Sequence, residues 1–513
     1  MRIITQKVVT VVGACILSIV LVIGCRMLAL HFAAKRIACP HCNVVILDLD
    51  VFRSDELTCV GKSIKITPNL CKLVAESTRF TKVYSQSFWT LPSALSTYTS
   101  LYPNVNQVWE EQKGALSLST VTLAEYLEKY GYTTHYVGDD NDALLSERNG
   151  GLRGYAHTYL GVEDELKWLD ILKNAMSTKR PVLFHAYSEG FHIPYLLFPP
   201  EKPIRDLPKP NGFPTYIDEY ERVKREYLIQ HVQEIFPASV IAAHPEIFQS
   251  DLSVRGKKLD DFLHQLEDSH DYTQRLLSWE AIYNPYMQFI HASNPQDVAY
   301  LKMLYETKLH TVDQRLAGLI AYLLKPDIKD HTIVIVTSSH GEAFAEHGEF
   351  SHADFPYNEI YHVPLIVNYP ANTNKRSIDA VIENLDIYPT LTDLVTGSVP
   401  HKIQGVSLTP LLSGVSISAK PYAVSMNYED TFVIQSRRYA LVRYRDRFAK
   451  PELYDLITDP GETHNVAKDH PQIVKRYTDV LIKEVAPELL LPPSFMPIPY
   501  GNNQQKLIRS GYF

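Results

Sequence analysis

The chain has 513 residues, 45% of them hydrophobic and 21% charged, with a formal net charge of -8. That composition buries a large core and excludes a disordered chain. It also excludes a general electrostatic attraction to nucleic acid or anionic lipid, so a polyanionic partner needs a local basic patch.

In chain order, the first element is an apolar run. Residues 8–25 read VVTVVGACILSIVLVIGC, 18 residues without a charge, and MLALHFAA continues the run after Arg26. This length predicts a membrane-spanning helix and a single-pass anchor. Arg2 and Lys7 precede it and Arg26, Lys35 and Arg36 follow it, so flanking charge does not set its orientation. A secretory signal is the second reading, because VIGC at residues 22–25 matches a lipoprotein cleavage box with Cys25 as the lipidated residue. Both readings start the soluble mass near residue 37 and put it outside the cytoplasm, in a periplasmic, extracellular or lumenal space.

Cys39, Cys42, Cys59 and Cys71 fall in the soluble part. CPHC at residues 39–42 has the spacing of a redox dithiol, but it precedes a strand, whereas such a motif opens a helix. Structural disulfides in an oxidising compartment are the plainer reading.

NVVILDLD at residues 43–50 is a β-branched run ending in acid, as a strand buried on both faces of a parallel sheet requires. PVLFHAY (181–187), TIVIVTS (332–338) and VPLIVNYP (363–370) have the same character. Between them, TPNLCKLVAEST (67–78) and TLAEYLEKYG (122–131) read as amphipathic helices. The alternation predicts an α/β fold, a doubly wound, mostly parallel sheet flanked by helices. In such sheets the functional groups sit on loops beyond the carboxyl ends of the strands. A Pro-rich start and polar helix over residues 200–310 predict a helical insertion at the mouth of the site. Short alternating segments from residue 413 predict a small C-terminal α+β subdomain. The division is thus 1–36 anchor or signal segment, 37–412 catalytic domain, and 413–513 subdomain.

Four places at predicted strand ends or helix starts carry chemistry: Asp50; Thr90 in SFWTLPSALSTYTSLYP; His192 in HAYSEGFHIPY; and His340 with His352 in VTSSHGEAFAEHGEFSH. Taken singly, each also fits a cap, turn or packing residue. Their order on successive strand ends argues that they meet in space.

With these segments the chain resembles the sulfatase and alkaline-phosphatase superfamily. NVVILDLDVFRSDEL resembles its opening strand, with Asp50 at a metal-ligand position and Arg53 and Asp55 following. In the next segment the nucleophile stands two residues before a proline, which here makes it Thr90. FHIPY resembles the histidine loop, TSSHGEAFAEHG the second metal loop, YHVPLIVNYP the strand after it, and LDIYPTLTDLV, QGVSLTPLLSG and ELYDLITDPGETHNVA the tail. The resemblance runs from residue 43 to about 480 and implies an ester hydrolase or phosphotransferase.

Three departures define the kind of member. Formylglycine sulfatases carry C/S-x-P-x-R, whereas the chain has Thr90, Pro92 and Ala94; threonine cannot be oxidised to that aldehyde, and the arginine is missing. Val51 stands where a second acid follows the first. Ser339 replaces the aspartate of the DHG motif. A threonine nucleophile resembles the phosphoethanolamine and phosphoglycerol transferases of bacterial envelopes. That resemblance implies Asp50, Thr90, Ser339 and His340 around one divalent ion, zinc or manganese ahead of calcium or magnesium. It gives Thr90, His192 and His352 the catalytic roles. Asp48, Glu342 and Glu346 are candidates to make up for the carboxylate lost at Ser339, with His347 and Asp354 on the rim. The implied partner is a sulfated or phosphorylated glycan, lipid head group or small ester, with membrane contact through the N-terminal helix and no nucleic acid. The second reading is a degenerate member that binds such a molecule without catalysis, and a third is a redox protein using Cys39 and Cys42.

Overall fold

The computed structural model describes residues 37–485 apart from 60–64, 110–113, 139–144, 163, 249–257, 260, 264, 266–280, 354, 371–375, 416–419, 428–430 and 446–448, together with Leu21, Val22, Gly24, Cys25 and Leu28. The predicted anchor at residues 8–25 lies largely outside the described residues. Among the described residues no helix is long and apolar enough to cross a membrane.

In chain order the strands are β1 (Asn43–Leu49), β2 (Thr78–Tyr84), β3 (Thr133–Val137), β4 (His157–Tyr159), β5 (Val182–Ser188), β6 (Thr332–Thr337), β7 (Ala343–Phe344), β8 (Phe350–Ser351), β9 (Leu365–Asn368), β10 (Arg376–Glu383), β11 (Ala423–Asn427), β12 (Thr431–Gln435), β13 (Tyr439–Tyr444) and β14 (Glu452–Asp455). The main sheet has the order β10-β2-β9-β6-β1-β5-β3-β4. All its pairings are parallel except those of β9, which runs antiparallel to both β2 and β6. Its apolar run, at residues 363–370, resembles those of the parallel strands because burial on both faces leaves no mark of direction.

β1 is central because its two faces are both apolar. Val45, Leu47 and Leu49 enter one core with the helices Pro68–Ala75, Trp168–Ala175, Pro295–Arg315 and Ala317–Leu323. Val44 and Ile46 enter the other with Thr90–Thr99, Leu123–Lys129 and Ile387–Thr396. Each fully buried Leu or Ile contributes about 1.5–3 kcal/mol. The helix Leu123–Lys129 starts at a capping box, Glu125 N–H donating to Thr122 Oγ1 (3.1 Å) and Thr122 N–H to Glu125 Oε2 (2.9 Å).

Short helices between Ile217 and Phe248 gather a satellite core around Leu228, Phe236 and Phe248 in the predicted insertion. The helix Pro295–Arg315 overlaps the end of that range but belongs to the main core through Tyr300, Leu301 and Leu304. β11 to β14 form an antiparallel sheet covered by the helix Pro471–Val480. Cys39 is bonded to Cys42 and Cys59 to Cys71.

Candidate active site

β1, β2, β5 and β6 point the same way, so the loops at their carboxyl ends share one edge. Asp50 follows β1 and is fixed there by its N–H bond to the Ser188 carbonyl at the end of β5 (2.9 Å). The next residue, Val51, is buried with φ of +51°, a left-handed conformation that costs a β-branched residue on the order of 1–3 kcal/mol. This strained turn directs the chain away from the sheet immediately after Asp50. Thr90 is the first residue of the helix Thr90–Thr99, with Pro92 in its first turn, where a missing N–H is harmless. Ala94 packs into the apolar core, in the place where the resemblance puts an arginine.

Asp50, Thr90, Ser339 and His340 meet as one buried group. Thr90 Oγ1 lies 3.2 Å from Asp50 Oδ2 and 3.1 Å from His340 Nε2, so its one hydroxyl proton stands between two acceptors. Ser339 Oγ donates to Asp50 Oδ1, and His340 Nε2 stands 3.4 Å from the same oxygen. His340 Nδ1 donates to the Gly341 carbonyl at 2.8 Å. His352 stacks over this group, its ring centroid 4.2 Å from that of His340 and 5.0 Å from that of His192. His192 lines a cavity of about 680 Å³ with Tyr187, Ile193, Leu196, Phe198 and Ile282. All six residues expected at the site from sequence are thus brought together.

Burial opposes ionisation of Asp50, but His340, His192, the Ser339 hydroxyl and His352 together hold its carboxyl below the usual range. Burial, reinforced by His352, pushes the His340 imidazole down to about 4. Burial and then His192 push His352 down to about 3. At neutral pH both rings are neutral beside an ionised Asp50.

The three candidate replacement carboxylates are engaged elsewhere. Asp48 accepts from Tyr98 Oη (2.7 Å) below the site. Glu342 accepts from Tyr195 Oη (2.7 Å) and meets His352 Nδ1 at 3.0 Å; burial raises its carboxyl to about 7. Glu346 pairs at 2.6 Å with Arg53, which also holds Asp55 and the Glu342 carbonyl. His347 meets Glu359 at 2.7 Å and the Glu462 carbonyl, so it ties this loop to the segment after β14. Asp354 lies outside the described residues. Glu342 was read from sequence only as a spare ligand, and nothing in the sequence around Tyr195 signals its bond to Glu342.

The donor set does not fit the divalent ion that the resemblance implies. Calcium or magnesium is held by several anionic oxygens, and the group offers one carboxylate; zinc takes imidazole and carboxylate together but needs at least three such ligands, and here Asp50 and His340 are joined only by two hydroxyls. Among the described residues no group of three or more His, Cys, Asp or Glu is placed to hold a metal ion.

The Sulfatase family model matches residues 42–398, and the model of the N-sulphoglucosamine sulphohydrolase C-terminal region matches residues 345–486. The chain is similar to arylsulfatase K of Mus musculus, 23% identical over 84% of this chain and 77% of that protein. It is similar also to an N-acetylglucosamine-6-O-sulfatase of Bacteroides thetaiotaomicron, 22% identical over 83% and 82%. Among solved structures it shares the fold of the phosphonate monoester hydrolase of Agrobacterium radiobacter (TM-score 0.59, 20% identity, 86% of this chain and 95% of that one). It shares the fold likewise of a 2-O GAG sulfatase (TM-score 0.60, 18% identity, 86% and 91%). Proteins of this family typically depend on a divalent cation. The family match takes in every one of the six converging residues and well over half the chain, and on that footing the protein belongs to the sulfatase family of ester hydrolases.

Proposed function

We propose that the protein cleaves a sulfate or phosphate ester carried by a glycan, with Thr90 as the nucleophile. The observation that carries this reading is the position of Thr90 Oγ1, within hydrogen-bonding distance of both Asp50 and His340 at the floor of a site that His192 opens to the cavity. Such contacts activate a hydroxyl that is a weak nucleophile by itself. The Thr90 hydroxyl gives up its proton to the Asp50–His340 pair beside it, and its oxygen bonds to sulfur or phosphorus as the bond to the ester oxygen breaks. His192, at the cavity, gives a proton to the departing alcohol, and His352 faces the ester's other oxygens. Water then displaces Thr90, releasing sulfate or phosphate. The sulfated-sugar substrates named for its relatives support the glycan.

Turnover of an aryl sulfate, an aryl phosphate, an aryl phosphodiester and a 6-O-sulfated glucosamine by the wild type and Thr90→Ala tests this. Activity reduced at least 100-fold in the variant is expected; full activity in Thr90→Ala would sink the mechanism. We infer further that residues 8–25 anchor the chain with the catalytic domain outside the cytoplasm, supported by the charge-free run and the two cysteine pairs. Release of the full chain from membranes by alkaline carbonate, without detergent, would oppose an integral anchor.

A further inference from the structure

The charge count at the floor of the site departs from what a resident dication needs. Val51 and Ser339 stand where the resemblance implies carboxylates, and among the described residues Asp50 is the carboxylate that meets Thr90. Asp48, Glu342 and Glu346 are each held by a partner away from that point.

What the group does contain is a hydroxyl facing an imidazole of fixed tautomer. A carbonyl only accepts, so the 2.8 Å contact to Gly341 places the proton of neutral His340 on Nδ1. Its Nε2 lone pair then faces Thr90 Oγ1 at 3.1 Å, slightly nearer than Asp50 Oδ2 at 3.2 Å, and when the hydroxyl turns to it the pair has the relation of a nucleophile to its general base. Asp50 Oδ1 lies 3.4 Å from the same Nε2, close enough to stabilise an imidazolium formed there. Ser339, in place of a ligand, gives its hydroxyl proton to that oxygen and fixes the carboxylate.

We propose that this chain works without a resident divalent cation, His340 Nε2 taking the proton of Thr90 while Asp50 stabilises the resulting imidazolium and Ser339 orients Asp50. The proposal rests on the ester-cleaving reading above. The step balances within the chain: the Thr90 O–H bond breaks and its proton goes to Nε2, the oxygen bonds to sulfur or phosphorus, and the departing alcohol takes the proton of His192. In the second half water gives a proton back to His192, and Thr90 leaves with the proton held by His340.

Two readouts other than ester turnover test this on the full chain. The first is metal content and melting temperature after chelation and reloading with calcium, magnesium, manganese or zinc. The wild type is expected to retain no stoichiometric metal and to melt unchanged, whereas Ser339→Asp takes up an ion and is stabilised by it. The second is covalent labelling of Thr90 by a dialkyl fluorophosphate, read by intact and peptide mass, in which an O–P bond replaces P–F. Labelling is expected to proceed within about twofold in excess chelator and to fall about 100-fold or more in His340→Gln. Melting of that variant checks that it folds.

A stoichiometric ion in the wild type, with labelling that chelator abolishes and the ion restores, overturns the proposal. So does wild-type labelling in folded His340→Gln. No labelling of Thr90 under any condition would overturn the role of His340 together with the ester-cleaving reading, while metal content still decides the cation question alone.

Discussion

Glu462 gives the chain a pH-dependent stability whose sign and size follow from its surroundings. It is fully buried, accepts from the Asn358 N–H (2.7 Å) and Tyr361 Oη (2.9 Å), and has Glu359 nearby. Burial raises its carboxyl from 4.5 to about 8, against the opposing pull of those hydrogen bonds. The folded state therefore holds this proton more tightly than the unfolded state, and stability falls as pH rises from about 4.5 through 8. At about 1.36 kcal/mol per unit, the full span is on the order of 5 kcal/mol. Glu462→Gln is neutral throughout, so variant and wild type should melt together near pH 5. They should separate by on the order of 5 °C at pH 8.5, the variant melting higher. His347 adds a smaller slope of the same sign: burial works against its charge, but Glu359 holds its imidazolium above the ordinary value. That slope should persist in the variant. The measurement is a thermal melt by far-UV circular dichroism at half-unit steps from pH 5 to 8.5. Parallel curves for the two proteins would refute the linkage.

Three further perturbations follow from the same contacts. Gly341→Ala puts a Cβ against the carbonyl oxygen of Glu359 and the backbone has no room for it; ester turnover should fall at least tenfold, read beside a melt showing the fold intact. Asp313→Ala removes the carboxylate that accepts from Asn69 N–H (2.9 Å), Leu70 N–H (2.8 Å) and Asn69 Nδ2 (2.9 Å) at the start of the helix Pro68–Ala75. It should destabilise by about 3 kcal/mol, checked by urea unfolding. Tyr195→Phe removes the hydroxyl that donates to Glu342 Oε2 and so favours its ionised form. The Glu342 carboxyl should then titrate above about 7, seen as an alkaline shift of any limb of the pH–rate profile that it governs.

The apolar runs ending in Asp50, in Ser188 before His192 and in Thr337 before His340 made the strand ends legible, because burial on both faces leaves an unbroken hydrophobic signature. From that, the meeting of Asp50, Thr90, His192, His340 and His352 followed. The antiparallel direction of β9 was not legible, since the same signature carries no polarity. Nor was the commitment of Glu342 to His352 and Tyr195, because it depends on how the loop after β6 folds back over residues 342–352. The pairing of Cys39 with Cys42 and of Cys59 with Cys71 was not legible either, since spacing alone does not give it.

The C-terminal sheet also bears on when the site is assembled. Met426 N–H in β11 bonds to the Gln86 carbonyl (3.0 Å) in the loop leading to Thr90, and Asn427 Nδ2 bonds to the Ala353 carbonyl (2.7 Å) beside His352. Ala353 N–H in turn bonds to the Phe88 carbonyl (3.0 Å). Thr90 and His352, 262 residues apart in the chain by their numbers, are thus clasped by a strand that begins at Ala423. During synthesis every side chain of the group emerges from the ribosome well before that clasp does. The clasp therefore forms only as the last fifth of the chain is made, and a product truncated ahead of β11 carries all six site residues without the strand that holds their loops together.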